Sequence, residues 1–285
     1  NKELDWSKDG VKASRDMLER IERLVTENES LLTDSSAKLE DANLEDRIVS
    51  SRIQRAKENV TEYNEAYEFN RAAGEIDKLL TKLYWYRQRG PDPSIFTHGV
   101  KTLIKLLAPF SPHLTEELWN KVDEGFLYES EWPEADEALL DEEAEVIDEY
   151  FDRVASDIRE IQEMVGSEPE KIKVINSAGW KYDAFQEIEE NLDLEDIGAI
   201  TGKTINAGFK EHAEYVNQKV QEAFENPGKF RNQLMNQKSE TEALKANKDR
   251  WNQEFNAEIV IEKESESTED KASRAEPGRP AIVME

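Results

Sequence analysis

The sequence predicts a mainly α protein, in which a helical bundle is followed by a small α/β domain. Apolar residues recur at steps of three and four along most of residues 11–165, which is the period of amphipathic helices. Short segments rich in β-branched residues at 171–175, 257–262 and 280–284 depart from that period and are typical of strands. The two patterns occupy different parts of the chain and therefore indicate two domains.

The domain boundary is predicted at the tripeptide Glu131-Trp132-Pro133, because a proline disfavours helix in the residue before it. Residues 1–133 then form the helical bundle, and residues 134–285 form the α/β domain. The second domain begins with a long amphipathic helix, residues 140–165, whose polar side is strongly acidic.

Within the bundle, residues 11–25 predict a first helix and residues 28–43 a polar loop with a short helical piece. Residues 56–83 predict one long helix, because their apolar residues keep steps of four and three with a shift of phase near Asn70. A Gly-Pro-Asp-Pro sequence at 90–93 ends this helix, and Ser94 begins the next.

Residues 103–119 predict a corner between two helices, bent or interrupted by Pro109 and Pro112. Ser111 is predicted to cap the second helix, with Pro112 at its first position. One apolar face is expected to continue through the corner. Its members are Leu103, Leu107, Phe110, Leu114 and Leu118.

In the second half, the three predicted strands alternate with helices and one loop. Helices are expected at 180–188, 209–223 and 239–255. The charged tract 263–279 is poor in apolar residues and is expected to be a mobile loop.

The chain is strongly acidic, with 64 acidic and 37 basic residues among 285 and a net charge of -27. The acidic residues alternate with apolar stripes, which favours a folded protein with an acidic surface over a disordered tail. Such a surface is typical of adaptation to high salt, since molar salt shortens the Debye length to about 3 Å and screens the repulsion. We therefore expect a protein from a salt-adapted cell.

The composition excludes several kinds of site and location. There is no cysteine and the three histidines are scattered, so no metal site is expected. No apolar run reaches the roughly twenty residues of a membrane span and no secretory signal is visible, so we expect a cytoplasmic protein without membrane contact. The first residue is not methionine, and we expect that the chain is part of a longer one.

No catalytic constellation emerges from the sequence. Residues 198–204 contain Gly-Lys-Thr but have only three residues where a phosphate-binding loop needs four, so a glycine-containing turn before the next helix is predicted there. His113 has Glu116 or Glu117 one helical turn away, but its neighbours Ser111 and Thr115 fit helix capping and helix surface better than catalysis.

Positive charge is concentrated in residues 71–105, which hold seven basic and three acidic residues, a local net of +4. The aromatic residues Tyr84, Trp85 and Tyr86 lie among them. Cations for phosphates and rings for bases are what a nucleic-acid surface uses. The same pattern fits a helix whose rings are core residues and whose lysines are solvated, so both interpretations stay open.

Three segments carry a resemblance to one enzyme group. Residues 107–119, LAPFSPHLTEELW, and the helix of 69–86 before them resemble the helical anticodon-binding domain of class I aminoacyl-tRNA synthetases for leucine, isoleucine and valine. The Trp-Lys pair at 180–181 is similar to a motif of archaeal-type leucyl-tRNA synthetases, although Gly179 stands where an acid is usual. Residues 271–285 resemble the natural C-terminus of that family.

The resemblance implies the C-terminal, tRNA-binding part of a leucyl-tRNA synthetase, monomeric and without a catalytic residue of its own. The family's His-Ile-Gly-His and Lys-Met-Ser-Lys-Ser signatures are missing from these residues. ATP and Mg²⁺ would therefore belong to the parent enzyme, with no cofactor here and no activity expected of this chain alone. The implied partners are leucine tRNA, contacted along its body and long variable arm, and the catalytic domain of the same parent chain.

Basic residues of both domains, together with residues of the implied motif and C-terminus, are the candidates for tRNA contact. They are Lys78, Lys82, Trp85, Arg87, Arg89, Lys101, Lys105, Trp180, Lys181, Lys248, Arg250, Arg279, Met284 and Glu285. Two alternatives stay open: a non-catalytic helical interaction protein of a halophile, and the equivalent part of an isoleucyl- or valyl-tRNA synthetase.

Overall fold

The structure is a computed structural model. It describes residues 8–32, 42–166, 169–194, 196–231 and 236–285. By its internal contacts the chain divides into two compact units, Asn1–Glu145 and Val146–Glu285. The first unit is helical and the second combines helices with a small sheet, which confirms the predicted fold class. A domain boundary at residue 134 stays a prediction.

The first unit is built from α-helices. Their bounds are α1 Lys8–Thr26, α2 Glu29–Leu32, α3 Leu44–Glu65, α4 Phe69–Arg87, α5 Pro93–Leu107 and α6 Pro112–Val122. Helix α7, Glu142–Val165, begins in this unit and continues into the second. Helices α3, α4 and α5 pack against one another around fully buried residues that include Ile53, Leu79, Phe96 and Leu103.

Side-chain caps fix where two of these helices start. Asn43 accepts from the amide of Asp46 at 2.9 Å, and Asp46 accepts from the amide of Asn43 at 3.1 Å, which completes a capping box on α3. Asp92 accepts from the amides of Ser94 and Ile95, with Pro93 at the first helical position of α5. The Asp92 cap, rather than Ser94, therefore begins α5.

The prediction of one long helix across residues 56–83 is wrong, because the chain forms two helices, α3 and α4. Tyr67 between them has a φ of 59°, a left-handed conformation that a continuous helix does not contain. The amide of Glu68 donates to the carbonyl of Tyr63 at 2.8 Å, which closes α3. The apolar period survives because both helices bury their stripes in the same core.

The predicted corner at 103–119 is confirmed, with α5 ending at Leu107 and α6 beginning at Pro112. Ser111 occupies the N-cap position, but its side chain makes no capping bond, so that part of the prediction is wrong. Its carbonyl instead accepts from the Thr115 amide at 3.0 Å. The continuous apolar face is also interrupted, since Phe110 is 37% exposed in the bend.

The second unit contains the remaining elements. The helices are α8 Gly179–Glu190, α9 Ile197–Thr204, α10 Ala213–Glu225, α11 Pro227–Arg231 and α12 Gln237–Glu254, and the strands are β1 Lys171–Asn176, β2 Glu258–Lys263 and β3 Ala281–Met284. All three predicted strands are present. The sheet order is β2-β1-β3, with β1 parallel to β2 and antiparallel to β3.

The central strand β1 is buried and sets the register of the sheet. Val174 is opposite Ile261 on one side and Ile282 on the other. The crossover from β1 to β2 carries helices α8 to α12, as the parallel pairing requires. Helix α12 packs on β2, and a separate helical cluster includes Phe185 of α8 and Val220 of α10, both buried.

The turn predicted at 198–204 is wrong, because these residues form α9. Asp196 caps the helix by accepting from the amide of Ala199 at 2.6 Å, which outweighs the helix-weakening effect of two glycines. The conformation that needs glycine occurs at Gly208, whose φ is 136°. In the described ranges no helix is long and apolar enough for a membrane span, and no group of His, Asp and Glu is arranged to hold a metal ion.

Candidate nucleic-acid interface

The basic residues predicted on α4 and α5 are largely engaged with acidic partners. Lys78 Nζ lies 2.6 Å from a carboxylate oxygen of Glu75. The Arg87 guanidinium lies 3.1 Å from Glu27, and Lys101 Nζ lies 2.8 Å from Asp123. Exposed pairs such as that of Arg87 are worth about 0–1 kcal/mol, so a phosphate can compete for the cation. The local excess of positive charge is nevertheless neutralised in part by residues distant in sequence.

The aromatic residues of α4 are packed into the unit. Trp85 is 8% exposed and Tyr86 is 1% exposed. The Arg89 guanidinium lies 3.8 Å from the centre of the Trp85 ring, and Lys82 Nζ lies 4.7 Å from it, both in cation–π geometry. Base stacking needs an open ring face. Trp85 offers little of one in this arrangement, which favours the core interpretation of these rings.

Tyr86 fastens α4 to the start of two other helices. Its hydroxyl donates to Asp46 and accepts from the amide of Asp92 at 2.9 Å. Burial and the hydrogen bond to Asp46 raise the pKa of Tyr86 well above its ordinary value. The hydroxyl therefore stays protonated and serves the packing of the bundle.

Lys105 lies beside a cleft of about 330 Å³ at the proline corner. Its Nζ donates to the carbonyl of Glu131 at 3.1 Å and lies 5.4 Å from the centre of the Trp119 ring. Glu116 in the same cleft accepts from the amides of Leu127 and Tyr128 at 3.0 Å each. These bonds tie the segment after α6 to the corner, so the polar groups of the corner serve the local fold.

In the second unit the side chains of Trp180 and Lys181 contact different parts of the structure. Trp180 stacks on His212 with ring centres 3.6 Å apart and planes 7° from parallel. Lys181 is 3% exposed, and its Nζ reaches the carbonyls of Ser273 and Ala275 at 2.9 and 2.7 Å and Glu264 Oε2 at 2.9 Å. Lys181 is thus an interior anchor for the segment around residue 274.

The other candidates of this unit are spread over separate places. Lys248 and Arg250 lie on α12, where Arg250 Nε is 3.4 Å from Glu254. Met284 is opposite Ile172 at the edge of the sheet. The Glu285 carboxylate lies 2.5 Å from the ammonium of Lys173, and that hydrogen bond holds its pKa below the ordinary value.

The segment of residues 271–280, which we call the cationic loop, contains the candidate Arg279 and two basic residues that the sequence analysis did not select, Lys271 and Arg274. Lys271, Arg274 and Arg279 are exposed, and none of them forms an ion pair with any residue that the structure describes. All three line a cleft of about 790 Å³ whose other walls are apolar, with Ile161 and Met164, and acidic, with Asp157, Glu160, Glu222, Glu225 and Glu276. The sequence signal for Lys271 and Arg274 is their place in the segment 271–285 that carries the resemblance.

The cationic loop is also more closely packed than its composition indicates. The charge of residues 263–279 predicts a mobile loop. Ala272 and Ala275 are instead buried against Ile175 of the sheet, and the backbones of Glu276 and Arg279 bridge one another. Three exposed cations therefore project from a segment whose own backbone is held.

The chain is similar in sequence to known tRNA ligases, and the matched family region includes residues of both units. Residues 46–177 match the family described as anticodon-binding domain of tRNA ligase. The leucine–tRNA ligase of Methanocaldococcus jannaschii is 30% identical over 247 residues, covering 84% of this chain and 25% of its own length. The enzymes of Methanothrix thermoacetophila and Halobacterium salinarum are 29% and 27% identical and cover 99% and 100% of this chain.

A chain in the crystal structure of the Agrobacterium radiobacter K84 agnB2 LeuRS–tRNA–LeuAMS ternary complex aligns with 62% of this chain and 20% of its own, at 28% identity and a TM-score of 0.45. The present chain spans between 25% and 31% of the length of the three archaeal relatives. The chain is therefore similar along most of its length to archaeal leucine–tRNA ligases, and residues 46–177 match the anticodon-binding domain of tRNA ligases.

Proposed function

We propose that this chain is the C-terminal, tRNA-binding part of a leucyl-tRNA synthetase. It would position leucine tRNA for ATP-dependent leucylation by a catalytic core that lies outside these 285 residues. The observation that carries the proposal is the similarity to archaeal leucine–tRNA ligases over 84% to 100% of the chain, together with the anticodon-binding domain at residues 46–177.

The body and the long variable arm of leucine tRNA are the proposed ligands. RNA helices are recognised mainly by shape and by backbone contacts, which demand cations placed along a surface. In an acidic chain these cations must be locally concentrated, and the cationic loop carries three of them, Lys271, Arg274 and Arg279, against one acidic residue, Glu276. Lys78 and Lys248 add charge that can reach a phosphate from α4 and α12.

Binding is tested with the 285-residue chain in a filter or mobility assay over a KCl series. The ligands are leucine tRNA, the same tRNA with its variable arm shortened, and a tRNA that naturally has a short arm. We expect leucine tRNA to bind about tenfold more tightly than the other two at one salt concentration, since affinities for RNA depend on salt. Equal binding of all three RNAs would contradict the proposal and favour an interaction protein instead.

The contribution of individual cations is tested in the same assay. Replacing Arg279 by Ala removes an exposed cation without an ion pair in the described part of the chain, whereas Arg87→Ala removes one already paired with Glu27. We expect Arg279→Ala to weaken binding about threefold and Arg87→Ala by less, because a paired cation must first leave its partner. A larger effect of Arg87→Ala would move the proposed contact to α4.

Catalysis is proposed to belong entirely to the rest of the parent enzyme, together with ATP and Mg²⁺. Leucine-dependent exchange of pyrophosphate into ATP is the measurement, and we expect none from this chain alone. Exchange with leucine, isoleucine or valine by a parent enzyme that contains this chain would identify its amino acid. Leucine is proposed because the relatives named above are leucine–tRNA ligases.

A further inference from the structure

The buried side chain of Lys181 holds the backbone of the cationic loop by hydrogen bonds. Its ammonium group has three hydrogens to donate. Two go to the carbonyls of Ser273 and Ala275, and the third reaches Glu264 Oε2 at 2.9 Å. These two carbonyls flank Arg274 in sequence, so Lys181 fixes the backbone on both sides of it. All donors of a 3% exposed lysine are therefore used within the unit, and two of them hold the loop.

A second buried charge holds the other end of the loop. The carboxylate of Glu240, which is fully buried, accepts from the amide of Gly278 at 2.8 Å, next to Arg279. Its oxygens also accept from the hydroxyls of Tyr150 and Tyr182 at 2.7 Å each. Gly278 has a φ of 69°, a conformation that favours glycine. In this conformation its amide donates to the Glu240 carboxylate.

A third buried charge holds the middle of the loop. Lys219, 2% exposed, lies 2.6 Å from Glu276 Oε1 and 2.7 Å from Glu222 Oε2. The amide of Glu276 donates to the carbonyl of Arg279 at 2.9 Å, and the reverse bond measures 2.8 Å. Side chains from α8, α10 and α12 thus fix the backbone or the side chains of the loop at Ser273, Ala275, Glu276 and Gly278.

Buried charges are expensive to desolvate and are a poor way to gain stability alone. Here each of them is directed at the one segment that carries three exposed cations without ion pairs among the described residues. Binding to a mobile loop would cost the entropy of ordering it, and prior fastening removes that cost. The arrangement therefore fits a surface that must present charge in a set geometry.

We propose that Lys181 and Glu240 are positioning residues that hold the cationic loop so that Lys271, Arg274 and Arg279 form a preset edge for RNA phosphates. The inference rests on the proposed function for its ligand. It also reassigns Lys181, which acts on RNA through Arg274 and makes no contact of its own.

The fastening is tested first without RNA, by amide hydrogen exchange on the full 285-residue chain. Lys181→Met removes the donors to Ser273 and Ala275, and Glu240→Gln removes one acceptor while keeping the size of the side chain. We expect exchange at residues 272–279 to rise about tenfold in each variant while the amides of β1 stay protected, since local opening is independent of global unfolding. Unchanged exchange in both variants would overturn the proposal, and Glu240→Gln serves if Lys181→Met does not fold.

The action on RNA is tested by a double-mutant cycle with leucine tRNA. We expect Lys181→Met to weaken binding about threefold to tenfold and to lower the salt slope of log K by about 0.7–0.9 for each phosphate that the loop no longer binds. In a chain that already carries Arg274→Ala and Arg279→Ala, the same change should weaken binding less than about twofold, because the groups it positions are gone. The matched control is Lys203→Met, which removes one exposed charge on α9 and is expected to leave affinity unchanged.

The outcomes separate this inference from the proposed function. Equal effects of Lys181→Met in both backgrounds would show a general structural role and overturn the positioning role. Failure of the unchanged chain to bind leucine tRNA would overturn the proposed function, and with it the RNA ligand of the loop. Hydrogen exchange would then still decide whether Lys181 and Glu240 fasten the loop.

Discussion

Gly99 of α5 lies so close to Leu83 of α4 that a Cβ on Gly99 would come 2.6 Å from Leu83 Cδ2 and 3.0 Å from Ile53 Cδ1. The side chains of Leu83 and Ile53 therefore fill the space that a Cβ on Gly99 would need. Gly74, in contrast, is in the interior of α4 with nothing within 4 Å of its own Cβ position. The two glycines therefore have opposite roles in the first unit.

We expect Gly99→Ala to destabilise the chain by about 1–3 kcal/mol, the usual cost of overpacking a filled core. Gly74→Ala is its matched control and is expected to stabilise by about 0.5–1 kcal/mol, because alanine is the better helix former and meets no neighbour. Urea unfolding followed by circular dichroism measures both. A change of the same sign in the two variants would contradict the packing described for Gly99.

Glu75 of α4 joins α3 to α4 through a partly buried ion-pair network. Its carboxylate oxygens lie 2.7 Å from Arg52 and 2.6 Å from Lys78, and its side chain is 7% exposed. Burial acts to raise its pKa, but the hydrogen bonds and charges of Lys78 and Arg52 outweigh burial and hold the pKa below the ordinary value. The carboxylate therefore stabilises the fold above the pKa of the unfolded chain, about 4.5, and this contribution is lost as pH falls below it.

We expect Glu75→Gln to destabilise the chain by about 1–3 kcal/mol at pH 7, because Arg52 loses a charged partner. The difference from the unchanged chain should shrink as pH falls from about 4.5 through the lower pKa of the folded state, because the carboxylate is protonated first in the unfolded chain and then in the native protein. Urea midpoints between about pH 3 and pH 7 give the measurement. Glu65→Gln, an equal charge change at the exposed end of α3, is expected to have little effect.

The contribution of Glu240 to the stability of the fold is predicted to change with pH in the opposite direction to that of Glu75. Burial raises the pKa of its carboxyl group, and the hydrogen bonds from Gly278, Tyr150 and Tyr182 offset this only in part. The folded state therefore holds its proton more tightly than the unfolded state, so this group loses stabilising effect as pH rises above about 4.5.

In Glu240→Gln we expect the free energy of unfolding to decline less between about pH 4.5 and pH 7 than in the unchanged chain, because the titrating group is gone. Thermal unfolding in a buffer series measures the difference. Glu242→Gln, an exposed position on the same helix, provides the control. An equal decline in all three proteins would show that Glu240 is not the group responsible.

The net charge of -27 predicts a strong dependence of stability on salt. We expect Tm to rise by on the order of 5 °C or more between 0.1 M and 1 M KCl, since shortening the Debye length from about 10 Å to about 3 Å screens repulsion between acidic groups. NaCl should have a similar effect because screening follows ionic strength. A Tm that is independent of salt would contradict adaptation to high salt.

Local patterns were sufficient for most of the secondary structure. The steps of three and four predicted helices α1, α5, α7 and α10, and β-branched alternation predicted the strands. These signals are local, because a helix or strand that packs on a core must repeat its apolar residues with the period of its own backbone. The residues of 107–119 also carried the resemblance to tRNA synthetases.

The helix boundaries and the ion-pair partners could not be predicted from the apolar period alone. The left-handed Tyr67 divides two helices whose apolar period is continuous, and Asp196 makes a helix from a stretch with two glycines. Arg87 and Glu27 are 60 residues apart in sequence, so no local rule could pair them.

The sequence by itself determined the fold class, the strands and the resemblance to tRNA synthetases, because each of these depends on residues that are close together in the chain. Only the tertiary structure decided which cations are available. It paired Arg87 and Lys101 with acidic groups, turned Lys181 into an interior anchor, and left the three cations of the cationic loop exposed. The physical reason is that charge availability depends on packing between distant segments, which brings acids to some cations and solvent to others.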